Sequence, residues 1–104
     1  MRIQCAKCLP KEGIECPDFS SFEKKKLSEM VENIPLKSIV YLRENYLLSL
    51  QDAKYLVMHI NKDLGYCNRC NFGGLFGENI NCPQCGGFNF NWNTKAVEKH
   101  KSNL

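Results

Sequence analysis

Apolar residues recur at helical spacing through the middle of the chain and give way to strand-like alternation near its end. Leu27, Met30, Val31 and Ile34 stand at i, i+3, i+4, i+7 and predict one amphipathic helix. Ser20-Ser21-Phe22-Glu23 precedes it as a capping box, in which the serine hydroxyl and the glutamate carboxylate satisfy orphan amides. Pro35 stops that helix and suits the first turn of a second, whose stripe runs Leu36, Ile39, Val40, Arg43, Leu47. Ser49-Leu50-Gln51-Asp52 reads as a further N-cap, followed by Ala53, Leu56, Val57, Ile60 and Leu64, with Gly65 as a left-handed terminator. Core packing is the expected fate of each stripe. From residue 65 the period changes. Phe88-Asn89-Phe90-Asn91-Trp92 alternates ring and amide, as a short strand would.

These patterns divide the chain into a cysteine-containing head (1–19), a helical segment (20–64), a cysteine- and glycine-rich ribbon (65–93) and a basic tail (94–104). The fold class expected is α+β, with a small helical hairpin or three-helix layer carrying a C-terminal β-hairpin. The 104 residues make about one domain, and 43% hydrophobic with 24% charged residues excludes a wholly disordered chain. No apolar run approaches a membrane span, and Met1-Arg2-Ile3-Gln4-Cys5 lacks an apolar leader core. A cytoplasmic protein is expected.

Two Cys-x-x-Cys units change the picture most. Cys67-Asn68-Arg69-Cys70 and Cys82-Pro83-Gln84-Cys85 are separated by eleven residues that include Gly73, Gly74 and Gly77, enough for a returning hairpin. Such a unit turns tightly, so both sulfurs converge on one ion while backbone amides point at the thiolates. Pro83 presets the second turn, and Gly86 supplies the positive φ that follows it. Cys67, Cys70, Cys82 and Cys85 are therefore the candidate metal ligands, in preference to two disulfides. This segment resembles a zinc ribbon, and equally the small rubredoxin-like domain at the end of rubrerythrins. The resemblance implies tetrahedral Zn²⁺, or Fe in an electron carrier. A rubrerythrin also needs Glu-x-x-His pairs, which this chain lacks, so zinc is favoured.

The head holds Cys5, Cys8 and Cys16, a lower-ranked second metal site that is one ligand short. His59, His100 or a partner chain would complete it; a ribbon that has lost its fourth ligand fits the same residues. Cys82-Pro83-Gln84-Cys85 also resembles the redox motif of glutaredoxins, but it follows a Gly/Asn-rich hairpin rather than opening a helix on a βαβ sheet. No hydrolase triad, phosphate loop or dinucleotide loop is present, and a saturated four-thiolate shell has no open position for catalysis. No enzyme is expected.

Residues 38–57 resemble the helix-turn-helix of the C-terminal domain of the bacterial ribosomal stalk protein, with Arg43, Asp52, Ala53, Lys54 and Val57 matching. Leu47 and Ser49 replace that family's glycines, and Val40 and Gln51 replace two lysines of its factor-binding surface. The resemblance implies an α-hairpin packed through Ile39, Leu42, Leu50, Ala53 and Val57. Charge then bears on partners. The net charge is +3, residues 66–92 contain only Arg69 and Glu78, and the basic excess lies in the tail at Lys95, Lys99 and Lys101. No basic stripe marks a phosphate-driven interface. The ribbon's rings are expected mainly to dock it onto the helices, and exposed ones such as Phe76 or Trp92 to bind a partner. The expected function is a small non-enzymatic zinc protein whose ribbon supports that protein-binding surface. An iron electron carrier and a nucleic-acid- or ribosome-associated module are the alternatives.

Overall fold

A computed structural model describes residues 1–8 and 12–92 of the chain. Lys95, Lys99, Lys101 and His100 lie outside the described residues. Strands β1 (Arg2–Ile3) and β2 (Ile14–Glu15) form a small antiparallel hairpin, with Arg2 opposite Glu15 and Ile3 opposite Ile14. Helices α1 (Ser21–Asn33), α2 (Pro35–Tyr46) and α3 (Leu50–Met58) follow, and α2 packs against both others. Strands β3 (Asn79–Asn81) and β4 (Phe88–Phe90) pair antiparallel with Ile80 opposite Asn89. The class is α+β, with a three-helix layer and two minimal sheets.

Local chemistry places the helix starts where the sequence puts them. Ser20 closes the capping box: its Oγ accepts from the Glu23 amide at 3.2 Å, and its own amide donates to Glu23 Oε1. Pro35 opens α2 directly after Ile34, which serves as the cap between two helices. Ser49 Oγ accepts from the Asp52 amide at 3.1 Å and starts α3. The third helix is shorter than its apolar stripe implies. It ends at Met58 because residues 59–61 are drawn into strand-like pairing with β4, where Phe90 N donates to His59 O and Asn61 N to Phe90 O. Gly65 is accordingly no helix terminator. Its φ of +88° shapes a turn whose carbonyl accepts from the Gly74 and Leu75 amides.

The core runs unbroken from the head to the end of β4. Ile3 and Ile14 from the first hairpin, Leu27 and Val31 from α1, Leu42 from α2 and Ala53, Leu56 and Val57 from α3 meet Phe88, Phe90 and Trp92. The second helix departs from expectation. Its buried positions are Ser38 and Leu42, whereas Leu36, Val40 and Leu47 are 67%, 46% and 90% exposed. Ser38 tolerates full burial because its hydroxyl donates to the Pro35 carbonyl one turn back. Leu36, Val40 and Leu47 of the stripe read for the core thus face outwards, while Ile39 packs against it. Of the positions implied by the stalk-protein resemblance, Leu42, Ala53 and Val57 are buried, Ile39 is half-buried and Leu50 is exposed.

Leu42→Ala should lower unfolding free energy by about 2–5 kcal/mol, because a fully enclosed leucine leaves a cavity. Leu36→Ala, on the same helix, should change it by less than about 0.5 kcal/mol. Urea titrations of the two variants check the assignment of the faces, and equal losses would contradict it.

Candidate metal centres

Both ribbon knuckles turn in the same way. Asn71 N donates to Cys67 O and Gly86 N to Cys82 O, closing each Cys-x-x-Cys unit. The residue after each second cysteine is left-handed: Asn71 at φ +64° and Gly86 at φ +81°. Asparagine is among the few non-glycine residues that accept this conformation, so the first knuckle needs no glycine. Amides of Arg69, Gln84 and Gly87 each donate to a cysteine sulfur at 3.4 Å.

The four sulfurs of Cys67, Cys70, Cys82 and Cys85 lie within 4.8 Å of one another. Cys67 Sγ to Cys85 Sγ and Cys70 Sγ to Cys82 Sγ are both 3.7 Å. A tetrahedron with metal–sulfur bonds of about 2.3 Å has edges of about 3.8 Å, whereas a disulfide needs about 2.05 Å. The four cysteines are unbridged and can hold a metal ion. Zn²⁺ and Fe both suit this donor set.

Two asparagines missed by the motif reading hold the knuckle in place. Asn89 is fully buried; its Oδ1 accepts from Asn68 N at 2.8 Å, and its Nδ2 donates to Gly87 O and reaches Cys67 Sγ at 3.5 Å. Asn91 accepts from Gly65 N and donates to Leu75 O and Gly77 O. The ring–amide alternation of β4 was the available signal. Its amide face is an internal hydrogen-bonding strip, and its ring face enters the core.

That burial bears out docking as the main role of the ribbon's rings. Phe88, Phe90 and Trp92 are buried and docked on the helices, with Trp92 edge-on to Phe19 at 5.8 Å. Only Phe76, at 95%, and Tyr66, at 54%, are exposed among the ribbon's rings, and Phe72 is half-buried.

Protonation within the cluster is uneven. Burial pushes the Cys67 thiol up, but the Cys70 and Arg69 amides, Asn89 and Cys85 outweigh it and bring it down to about 6. The Phe72 amide lowers Cys70, yet desolvation and the three neighbouring sulfurs push it up to about 12. At neutral pH the metal-free cluster therefore keeps the Cys70 proton.

The head cysteines part company. Cys5 and Cys8 come together with His59, all three donor atoms within 4.8 Å of one another, and Cys16 is not among them. The hairpin register is the reason. Cys16 N donates to Met1 O, at the end of the β1–β2 ladder remote from Cys5. Four residues of extended chain place Cys5 roughly 13 Å further along. Burial raises the Cys16 thiol to about 11, so it stays protonated at neutral pH.

No family model matches the chain, and neither the curated proteins nor the solved structures contain a significant match to it.

Two outcomes follow for the four-cysteine centre. Metal loading must displace at least the Cys70 proton, so affinity should rise about tenfold per pH unit for each proton displaced as pH increases through neutrality. Competition with a chromophoric chelator measures this, and a flat profile between about pH 6.5 and 8 would contradict it. Asn89→Asp places a carboxylate beside Cys67 and removes the N–H that reaches its sulfur. It should weaken metal binding by about 10–100-fold, while Asn79→Asp, on the exposed flank of β3, should leave it unchanged.

Proposed function

We propose that this is a small non-enzymatic zinc-binding protein whose four-cysteine centre is structural and whose exposed apolar surface binds another protein. The observation that carries the metal reading is the sulfur cluster, with separations matching the edges of a zinc–thiolate tetrahedron. Four thiolates fill the shell, so the ion has no position for an activated water and serves to fasten the ribbon. Zinc is preferred over iron because a four-thiolate iron centre would be an electron carrier, and no accompanying di-iron ligand pattern occurs in the chain. Iron would colour the purified protein red, whereas zinc leaves it colourless.

The surface proposed for the partner lies on the helices rather than on the ribbon's rings. A groove of about 660 Å³ opens between the helices and the first knuckle, floored by Val31, Pro35, Ile39, Val57 and Ile60. Tyr66, Cys67, Asn68 and Asn71 form its ribbon wall, so an intact metal centre shapes the groove. The outward stripe of Leu36, Val40 and Leu47 runs along the same helix, next to Pro35 and Ile39. Leu47 is the most telling member. It is 90% exposed and left-handed at φ +55°, a conformation that costs a β-carbon residue roughly 1–2 kcal/mol. Neither burial nor backbone comfort accounts for leucine there; contact with a partner does. The groove is edged by Lys54, Lys62 and Asp63, charges of both signs rather than a basic stripe, which favours a protein over nucleic acid.

The full-length, metal-loaded chain immobilised as bait tests this reading. Leu47→Gly should keep thermal stability or raise it by up to about 1 kcal/mol, while Leu47→Gly with Leu36→Ser should abolish capture of the partner. Binding should persist at moderate salt and after nuclease treatment. Capture that vanishes with nuclease and falls steeply with salt would replace the protein partner by nucleic acid. Unchanged capture by the double variant would remove the helical surface from the account.

A further inference from the structure

The second cluster has the surroundings of a metal site as well as its ligands. His59 is 2% exposed at the C-terminal end of α3, and its Nδ1 sits 2.6 Å from the Tyr55 carbonyl. A carbonyl only accepts, so Nδ1 carries the proton and Nε2 offers its lone pair. Metal-binding histidines are typically held this way, with the far nitrogen donating to a carbonyl that fixes tautomer and ring orientation. The Tyr55 ring lies against the imidazole at 4.5 Å and Phe88 closes on it from β4 at 6.0 Å. Cys5 is buried and its sulfur accepts from the Phe88 amide at 3.3 Å, the same amide–sulfur contact seen in the ribbon knuckles. Cys8 N turns back to Cys5 O, and Arg69 Nη1 stands 3.9 Å from the half-exposed Cys8 sulfur, a cation suited to a thiolate.

We propose that Cys5, Cys8 and Nε2 of His59 hold a second divalent metal ion, Zn²⁺ by the chemistry of two thiolates and one imidazole, with the fourth position open to an exchangeable ligand. Among the described residues, three protein ligands leave one position over, the arrangement of reactive rather than closed zinc sites. The described residues supply no fourth donor to the cluster. The Tyr55 hydroxyl is buried and closes no hydrogen bond among the described residues. The site also joins three segments distant in sequence. The head knuckle supplies two ligands, the residue that caps α3 the third, and the ribbon packs against them, with Gly86 so close to Ala6 that an added Cβ would come within 3.2 Å of the alanine methyl.

Metal counting on the intact, zinc-loaded chain by native mass spectrometry separates the two centres. Wild type should carry two ions and Cys8→Ser one, while Cys16→Ser should keep both because Cys16 stands outside the cluster. His59→Gln should also carry one; a circular dichroism spectrum showing it folded makes that count meaningful, and Cys8→Ser, at a half-exposed position, answers the same question if it is not. In the cobalt-loaded wild type, added imidazole should shift the visible d–d bands, and the shift should disappear in Cys8→Ser, whose remaining four-thiolate centre is saturated. One ion in wild type, retained in Cys8→Ser and lost in Cys82→Ser, would overturn the second site and leave the ribbon centre standing. No ion in wild type would overturn both. Two ions with no response to imidazole would overturn the open position.

Discussion

The ribbon cannot hold itself together by backbone pairing, and the convergence of four cysteines is what the rest of the structure leans on. Its two strands have three residues each, and a two-stranded hairpin of that size is not independently stable in water. Its own apolar cluster is small, centred on Cys67, Leu75 and Cys82. Without an ion, four sulfurs within 4.8 Å of one another must either keep protons or repel as thiolates. A bound divalent metal removes that conflict, and its binding free energy becomes folding free energy for the segment.

Strand β4 carries this stability into the helical layer. Its rings enter the main core with Leu27, Leu42 and Leu56, while its amides reach the opposite way to Cys67, Gly65 and Leu75. The residues that leave α3 pair with the same strand, which brings His59 to Cys5 and Cys8. Ribbon, head and helices therefore share one core rather than hanging from one another as separate modules. Both cysteine clusters meet β4 around Phe88 and Asn89, and Cys67 of the ribbon cluster also lines the groove beside α2.

Motifs whose cause is local were legible in the chain. The Ser20 capping box, the Ser49 cap, the Pro35 break and the knuckle turns depend on neighbours within four residues, and all appear as the residue types dictate. Periodicity alone could not say which side of α2 is covered. Leu36, Val40 and Leu47 make as good a stripe as any, but α1 and α3 occupy the side marked by Ser38 and Leu42, and a hydroxyl satisfied within its own helix is invisible to a hydropathy pattern. The head cluster failed for a similar reason. Cys16 is near Cys5 in sequence, yet antiparallel register carries it to the other end of the hairpin. His59 takes a place beside Cys5 and Cys8 only because β4 shortens α3. Asn89 and Asn91 were visible as an alternation, but their task depends on loops that return from 14 to 26 residues away.

X-ray absorption at the zinc edge of the purified, full-length protein tests the central claim most directly, because it reports the donor atoms without reference to any fold. A first shell dominated by sulfur at about 2.3 Å is the result that thiolate ligation by Cys67, Cys70, Cys82 and Cys85 predicts. A shell of nitrogen and oxygen alone, at about 2.0–2.2 Å, would contradict it.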